Sequence, residues 1–295
     1  MKDQIESPFG GRASWRLAYP VRKIVARYEL RCGMDVSEYF QDMKSVNLYE
    51  CERTGYLFWR PECLAGDEAF YRRLASYMPD YYSTERWEYP EARKWLSGAS
   101  RVLEVGCGQG WFLKSLERKG LAGVGLEYNG EAISGKVTTC PMYKEDVAEF
   151  AKCHSGEFDA VCAFQVLEHV VAPRQFIQAC VDCLKPGGHL LLSTPNHGRT
   201  SLQAFEQAMD LPPHHMGYFT QAIYGRIAKA MDLDFVGCRI EPLRFGFSDT
   251  ISEKLARSFI FRIVNKCGTI LYNTTLAAMK EQGQHILAVF RRRQA

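Results

Sequence analysis

Residues 102–113 read VLEVGCGQGWFL, and this stretch constrains the fold more than any other in the chain. A short apolar run is followed by glycines at 106, 108 and 110, and a helical pattern starts at about Trp111. Glycine permits φ > 0 and lets a ligand approach the backbone closely. A strand that ends in such a turn and feeds a helix belongs in an α/β sheet, and open α/β sheets bind ligands at the carboxyl ends of their strands. By itself the turn would serve equally well as a ligand-free connection.

The flanking sequence supports the sheet. Strands are expected over 102–105, 123–127, 141–144, 158–164, 189–193, 235–240 and 285–291. Amphipathic segments over 111–119, 147–152, 173–184 and 221–231 alternate with them. Such alternation predicts an α/β, Rossmann-like, mostly parallel sheet with helices on both faces. The first hundred residues read differently, with helical stretches at 21–30 and 67–77, the aromatic run YMPDYYSTERWEYP, and a helix over 91–96. We expect an N-terminal cap, 1–98, on a main domain, 99–295. A long amphipathic pattern over 251–281, with Leu255, Phe259, Ile263, Ile270 and Leu271 on one face, is expected to be a helical insertion.

Composition excludes some functions. The chain of 295 residues is 46% hydrophobic, enough for a sizeable core. A net charge of +3 does not point to nucleic acid. There is no run of about 18 apolar residues, so no membrane span is expected. The opening MKDQIESPFGG lacks an apolar signal core, so a cytoplasmic location with reduced thiols is expected for the 11 cysteines. Cys180 and Cys183 form a C-x-x-C inside a helical pattern, where neither a redox nor a metal role is expected.

Three strand ends point to an adenosine site. Glu127 closes the second strand about 20 residues past the turn, where an acid can hold ribose hydroxyls. Asp146 closes the third, where a carboxylate can accept from an adenine amino group. A dinucleotide would need G-x-G-x-x-G to seat its pyrophosphate. Here the spacing is G-x-G-x-G, with Trp at 111. Glu104, inside the motif, would repel a pyrophosphate and attract an ammonium or sulfonium.

The segments LEVGCGQG, GLEYN, KEDV, FDAVCAFQVLEHV and LKPGGHLLLSTPN follow one another from about 101 to 196. In that order they resemble the class I S-adenosylmethionine-dependent methyltransferases. GQHILAVFRR resembles the antiparallel terminal strand of that family's seven-stranded sheet. The resemblance implies S-adenosyl-L-methionine as cofactor. It implies Glu104, Gly106, Cys107, Gly108 and Gly110 along the methionine part, Glu127 at the ribose, and Tyr128 among the cofactor-binding residues. Asp146 and Val147 would meet the adenine, and Phe164 and Gln165 would face the sulfonium.

The acceptor is read from the residues after the fourth and fifth strands. Methyl transfer from a sulfonium is an in-line displacement, so the enzyme must position the acceptor and, for a hydroxyl, remove its proton. Families that methylate nucleobase or amide nitrogens carry Asn or Asp, Pro-Pro and an aromatic after the fourth strand. This chain has FQVLEHV there, and its Asp210-Leu211-Pro212-Pro213 lies after the fifth. The LEHV form resembles methyltransferases of small molecules and sugars. Upstream, NLYECERTGYLFWRPE resembles a segment found before some methyltransferases of cell-surface sugar pathways, in which a C-x-x-C-G pair stands. Here Thr54 precedes Gly55, so a β-hairpin without zinc is expected around Cys51. The expected reaction is O-methylation of a sugar, glycan or other small molecule, without nucleic acid. The alternatives are a C- or N-methyltransferase or a non-catalytic cofactor-binding subunit.

The stretch 210–220, DLPPHHMGYFT, supplies the candidate base. Pro212 and Pro213 fix φ near −65° and stiffen the approach. Thr220 is a good N-cap for the helix after it. His214 and His215 are expected on a rigid ledge beside the site, their side chains pointing apart as on an extended stem. An imidazole with an ordinary pKa near 6.5 suits proton removal from a hydroxyl. His215 is the expected base, with His214 and His169 as alternatives. Glu168, His169, His197, His214 and His215 have metal-ligand chemistry. Nothing in the sequence brings them together, so no metal is assigned. Tyr81, Tyr82, Trp87 and Tyr89 are expected to pack the cap on the core or close over the cofactor. Lys254, Arg257, Arg262, Lys266 and the arginines at 291–293 read as a solvated basic face.

Overall fold

The computed structural model describes residues 5–78, 81, 84–96, 98, 101–198, 208–242 and 283–294. The amphipathic pattern expected over 251–281, its basic positions Lys254 to Lys266, and Tyr82 lie outside the described residues.

The N-terminal layer is more β-rich than its sequence suggests. It begins with β1 (Ile5–Glu6) and β2 (Arg12–Pro20), which leads directly into α1 (Val21–Cys32). The strands β3 (Ser45–Cys51) and β4 (Leu57–Arg60) form an antiparallel hairpin, followed by α2 (Glu68–Tyr77) and α3 (Glu88–Arg93). Asp67 caps α2, its carboxylate accepting from the Phe70 N–H. The nine-residue β2 has no expected counterpart in the sequence. Most of its side chains are at least partly exposed, and a bulge between Trp15 and Leu17 shifts its register, so the alternation that signals a strand is broken.

The main sheet carries the expected alternation. Its elements run β5 (Arg101–Val105), α4 (Trp111–Glu117), β6 (Ala122–Leu126), α5 (Gly130–Ser134), β7 (Met142–Tyr143), α6 (Val147–Cys153), β8 (Phe158–Phe164), α7 (Pro173–Cys183) and β9 (Leu184–Pro195). Then come β10 (Gly217–Tyr218), α8 (Gln221–Ala230), β11 (Asp234–Ile240) and β12 (His285–Arg291). The strand order is β11-β12-β9-β8-β5-β6-β7, and β12 is antiparallel to both neighbours. Alternate side chains separate two cores. Leu103, Val161 and Leu190 face Ile177 of α7 and Ile227 of α8. Val102, Cys162 and Leu191 face Phe112 of α4 and Ala92 of α3. Cys180 and Cys183 are buried in α7, as core thiols.

The short β10 belongs to the other sheet, whose order is β1-β2-β3-β4-β10. Gly217 pairs with Phe58 and Tyr218 with Leu57. The stretch 210–220 therefore crosses from the main sheet to the N-terminal layer. Trp59, fully buried, donates from Nε1 to the Tyr218 hydroxyl (2.9 Å), which donates to the Asp210 carbonyl (2.6 Å). Truncating a buried aromatic costs about 3–5 kcal/mol. We expect Trp59→Ala to lower the unfolding free energy by that amount and to expose residues 211–218 to hydrogen exchange. Unchanged protection there would mean that the layer does not hold this segment.

Candidate active site

One cavity of about 830 Å³ lies at the carboxyl ends of β5, β6, β7 and β8, between the main sheet and the N-terminal layer. That is in the upper part of the range for ligand pockets, about 300–1,000 Å³. Of the residues singled out in the sequence, Glu104, Gly106, Cys107, Gly108, Glu127, Tyr128, Asp146, Val147, Phe164, Gln165, His169, His214 and His215 line it. Gly110 does not, and instead begins α4 at φ 82°, where an added Cβ would meet Thr138 Cγ2 at 2.7 Å.

The turn after β5 is tied to the end of β6. The N–H groups of Gly106 and Cys107 both donate to the Leu126 carbonyl (2.8 and 3.0 Å). Gly106 has φ +74°, and a Cβ there would stand 2.4 Å from Val166 Cγ2. No side chain fits between this turn and the loop after β8. Glu127 closes the connection, with Oε2 accepting from Gly108 N–H (2.8 Å) and Oε1 from Asn129 N–H (2.9 Å). Burial raises its pKa, and these N–H groups pull it back. Each oxygen keeps a second lone pair for a ligand hydroxyl.

Asp146 has a structural duty the sequence did not reveal. It caps α6, Oδ1 accepting from Ala148 N–H (2.6 Å), and its Oδ2 accepts from the Tyr128 hydroxyl. Glu104 is different. It is 2% exposed, and Oε2 has no hydrogen-bond partner among the described residues. Burial and the nearby Glu127 charge hold its carboxyl well above the usual carboxylate range, against the pull of Arg86. A buried carboxylate of this kind calls for a cationic or hydrogen-bonding ligand.

At the end of β8, Gln165 adopts φ 56°. Its Nε2 donates to Glu88 Oε1 (3.0 Å) and Ser193 Oγ (2.7 Å), linking the loop to α3 of the N-terminal layer. Phe164 packs edge-on against Tyr89 and Phe112. Tyr89 thus sits between layer and core, while Tyr81 reaches His214.

The histidines depart from expectation. His214 and His215 do not sit on an extended stem with side chains apart, because both N–H groups donate to the Leu211 carbonyl (3.1 and 3.2 Å) in a tight turn. Their rings stack, with centroids 4.4 Å apart and planes 20° apart. His169 joins them at 4.5 and 5.0 Å. Tyr28, Gly66, Trp59 and Glu168 hold the turn, through the Leu211, Pro213 and Met216 carbonyls and the Met216 N–H respectively. Burial, then the neighbouring His215 and His169, push the His214 pKa well below the usual value. Burial takes His169 down to about 4, against the carbonyls of His214 and Gln165. Both rings are neutral at neutral pH.

Several candidate residues escaped the sequence reading. Arg86, Tyr71 and Glu88 reach the cavity or its network from the N-terminal layer, and no motif marks them. Asp210, buried, faces His215 Nδ1 at 3.4 Å and His197 Nε2 at 4.0 Å. Its place at the head of the Leu-Pro-Pro-His-His run was the one available signal.

The site can be compared with known proteins. A family described as "Methyltransferase domain" matches residues 74–236. The ubiquinone biosynthesis O-methyltransferase of Pectobacterium atrosepticum is 38% identical over 104 residues, 32% of this chain and 43% of that protein. The enzyme of the same name from Xanthomonas oryzae pv. oryzae is 39% identical over 118 residues, 38% of this chain and 49% of that protein. The chain thus spans less than half the length of these relatives. A methyltransferase structure from Archaeoglobus fulgidus superposes with a TM-score of 0.53 at 20% identity, over 75% of this chain and 99% of that one, a likeness of fold. No helix among the described residues is long and apolar enough to cross a membrane. With its glycine turn, its strand-end carboxylates and this match over more than half its length, the chain belongs to the class I S-adenosylmethionine-dependent methyltransferase family.

Proposed function

We propose that this protein transfers the methyl group of S-adenosylmethionine to a hydroxyl oxygen of a small molecule. The observation that carries the reading is one cavity lined both by the strand-end carboxylates Glu104, Glu127 and Asp146 and by three imidazoles. Glu104, buried with an oxygen lacking a partner among the described residues, suits the cofactor's ammonium. Glu127 suits the ribose hydroxyls. Asp146, Val147 and Tyr128 would meet the adenine, and Phe164 and Gln165 would stand near the sulfonium. The acceptor's hydroxyl would lie against His169, His214 and His215, where its proton is removed. Its oxygen lone pair forms the C–O bond as the C–S bond breaks, and that electron pair returns to sulfur.

The relatives' names support an oxygen acceptor. A sugar hydroxyl, expected from the N-terminal segment, finds no support in those names, so sugar and non-sugar hydroxyls are both arms of the test. Calorimetric titration with the methyl donor, its demethylated product and NAD should give binding for the first two alone. Turnover should then appear with a hydroxyl acceptor. Methylation of amines alone would overturn the reading.

Glu127→Ala should weaken donor binding about tenfold to hundredfold, the loss of a charge-assisted hydrogen bond of about 1.5–3 kcal/mol. It also unties Gly108 from the end of β6, so the larger figure is expected. Wild-type affinity in this variant would remove Glu127 from the ribose.

A further inference from the structure

The wall formed by His169, His214 and His215 has chemistry that cofactor binding leaves unused. One ring nitrogen of each lies within 4.8 Å of one from each of the others. Every ring also has an acceptor near Nδ1. His169 Nδ1 donates to the His214 carbonyl (2.6 Å), and His214 Nδ1 donates to the Met209 carbonyl (2.9 Å). His215 Nδ1 faces Asp210 Oδ1 at 3.4 Å. A carbonyl only accepts, so the first two rings carry their proton on Nδ1 and keep the Nε2 lone pair. Metal-binding histidines are oriented in this way, with one nitrogen donating to a carbonyl or carboxylate and the other free to coordinate.

A second observation stands beside the first. Glu168 is 1% exposed, and neither of its carboxylate oxygens has a hydrogen-bond partner among the described residues. Its Oε1 lies 3.8 Å from His169 Nε2. Burying a carboxylate without a partner is costly, and an imidazole lone pair offers it no donor. A cation between them satisfies both. The Tyr81 hydroxyl reaches His214 Nε2 at 3.3 Å and would compete with that cation.

We propose that His169, His214 and His215, with Glu168 beside them, hold a divalent transition-metal cation of the zinc type. Imidazole and carboxylate are zinc ligands, and zinc held by three nitrogens and one carboxylate oxygen can expand to a fifth position for an outside oxygen. That position would take the acceptor's hydroxyl and lower its pKa, its proton passing to solvent. This last role rests on the O-methylation reading, whereas the metal site does not.

The test uses the full chain, with the exposed Cys63 and Cys153 changed to Ser so that thiolate binding is not counted. After stripping with chelator and dialysis, it is titrated with Zn²⁺ and separately with Co²⁺. One equivalent per chain should bind, with visible Co²⁺ bands. His214→Ala with His215→Ala should abolish both signals. Glu168→Gln should weaken binding about tenfold to hundredfold, the effect of losing a supporting partner. Should the double variant not fold, His215→Gln, checked by its melting temperature, takes its place with the same expected loss. No saturable binding to the wild-type chain, or equal binding by folded histidine variants, overturns the site. Full methyl transfer by the stripped chain overturns the metal's part in the reaction. Tight metal binding without transfer to any hydroxyl keeps the site and removes the O-methylation reading.

Discussion

His215→Ala should lower turnover about 10²–10⁴-fold while leaving donor affinity as in the wild type, the range expected when removal of the acceptor's proton is lost. The stretch 210–220 by itself suggests that His214 and His215 would behave differently. Their stacked rings and common contact with His169 imply the opposite. His214→Ala should cost a similar factor, and the double variant little more than either single one, since groups that act as a unit are strongly non-additive. The hydrogen bonds that the Leu211, Pro213 and Met216 carbonyls accept from the Tyr28 hydroxyl and the Gly66 and Trp59 N–H groups survive all three changes, so the turn should persist, as near-UV circular dichroism would report. Multiplicative losses in the double variant would show independent roles. Full turnover by both single variants would reduce the pair to scaffolding. Lost donor affinity in either would move the histidines into the cofactor's part of the cavity.

The second large effect belongs to the glycine turn. Gly106→Ala adds a methyl 2.4 Å from Val166 Cγ2, at φ +74°. The left-handed backbone costs about 1–2 kcal/mol for a residue with a Cβ, and overpacking adds about 1–3 kcal/mol. Val166 must move, and with it the loop that leads to Glu168 and His169. We expect donor affinity to fall at least about a hundredfold, equivalent to about 2.7 kcal/mol. Adding Val166→Ala separates the causes, because it removes the clashing methyl and leaves the backbone strain. The double variant should recover most of the melting temperature and only part of the affinity. Complete recovery of binding would mean that Gly106 is a packing residue and that the cofactor does not come close to this turn.

Much of the main sheet is legible in the sequence because the evidence for it is local. Short buried runs alternating with amphipathic helices pack stably as a parallel sheet covered on both faces, and the expected strands over 158–164 and 285–291 match β8 and β12 to the residue. The glycines and the carboxylates Glu104, Glu127 and Asp146 announce themselves by standing at strand ends, which a parallel sheet brings to one edge. The rest depends on contacts distant in sequence. Whether β4 pairs with two residues of the stretch 210–220, and whether Trp59 meets Tyr218, is decided by packing between segments 159 positions apart. No periodicity encodes that. The same folding turns an apparent extended stem into a tight turn and sets His169, from the loop after β8, against His214 and His215. The sequence alone marked the glycine turn and the strand-end carboxylates on which the family resemblance would seat a methyl donor. Only the tertiary structure decided that three imidazoles and a buried carboxylate line the same cavity, because that meeting joins the loop after β8 to a turn 45 positions further along the chain.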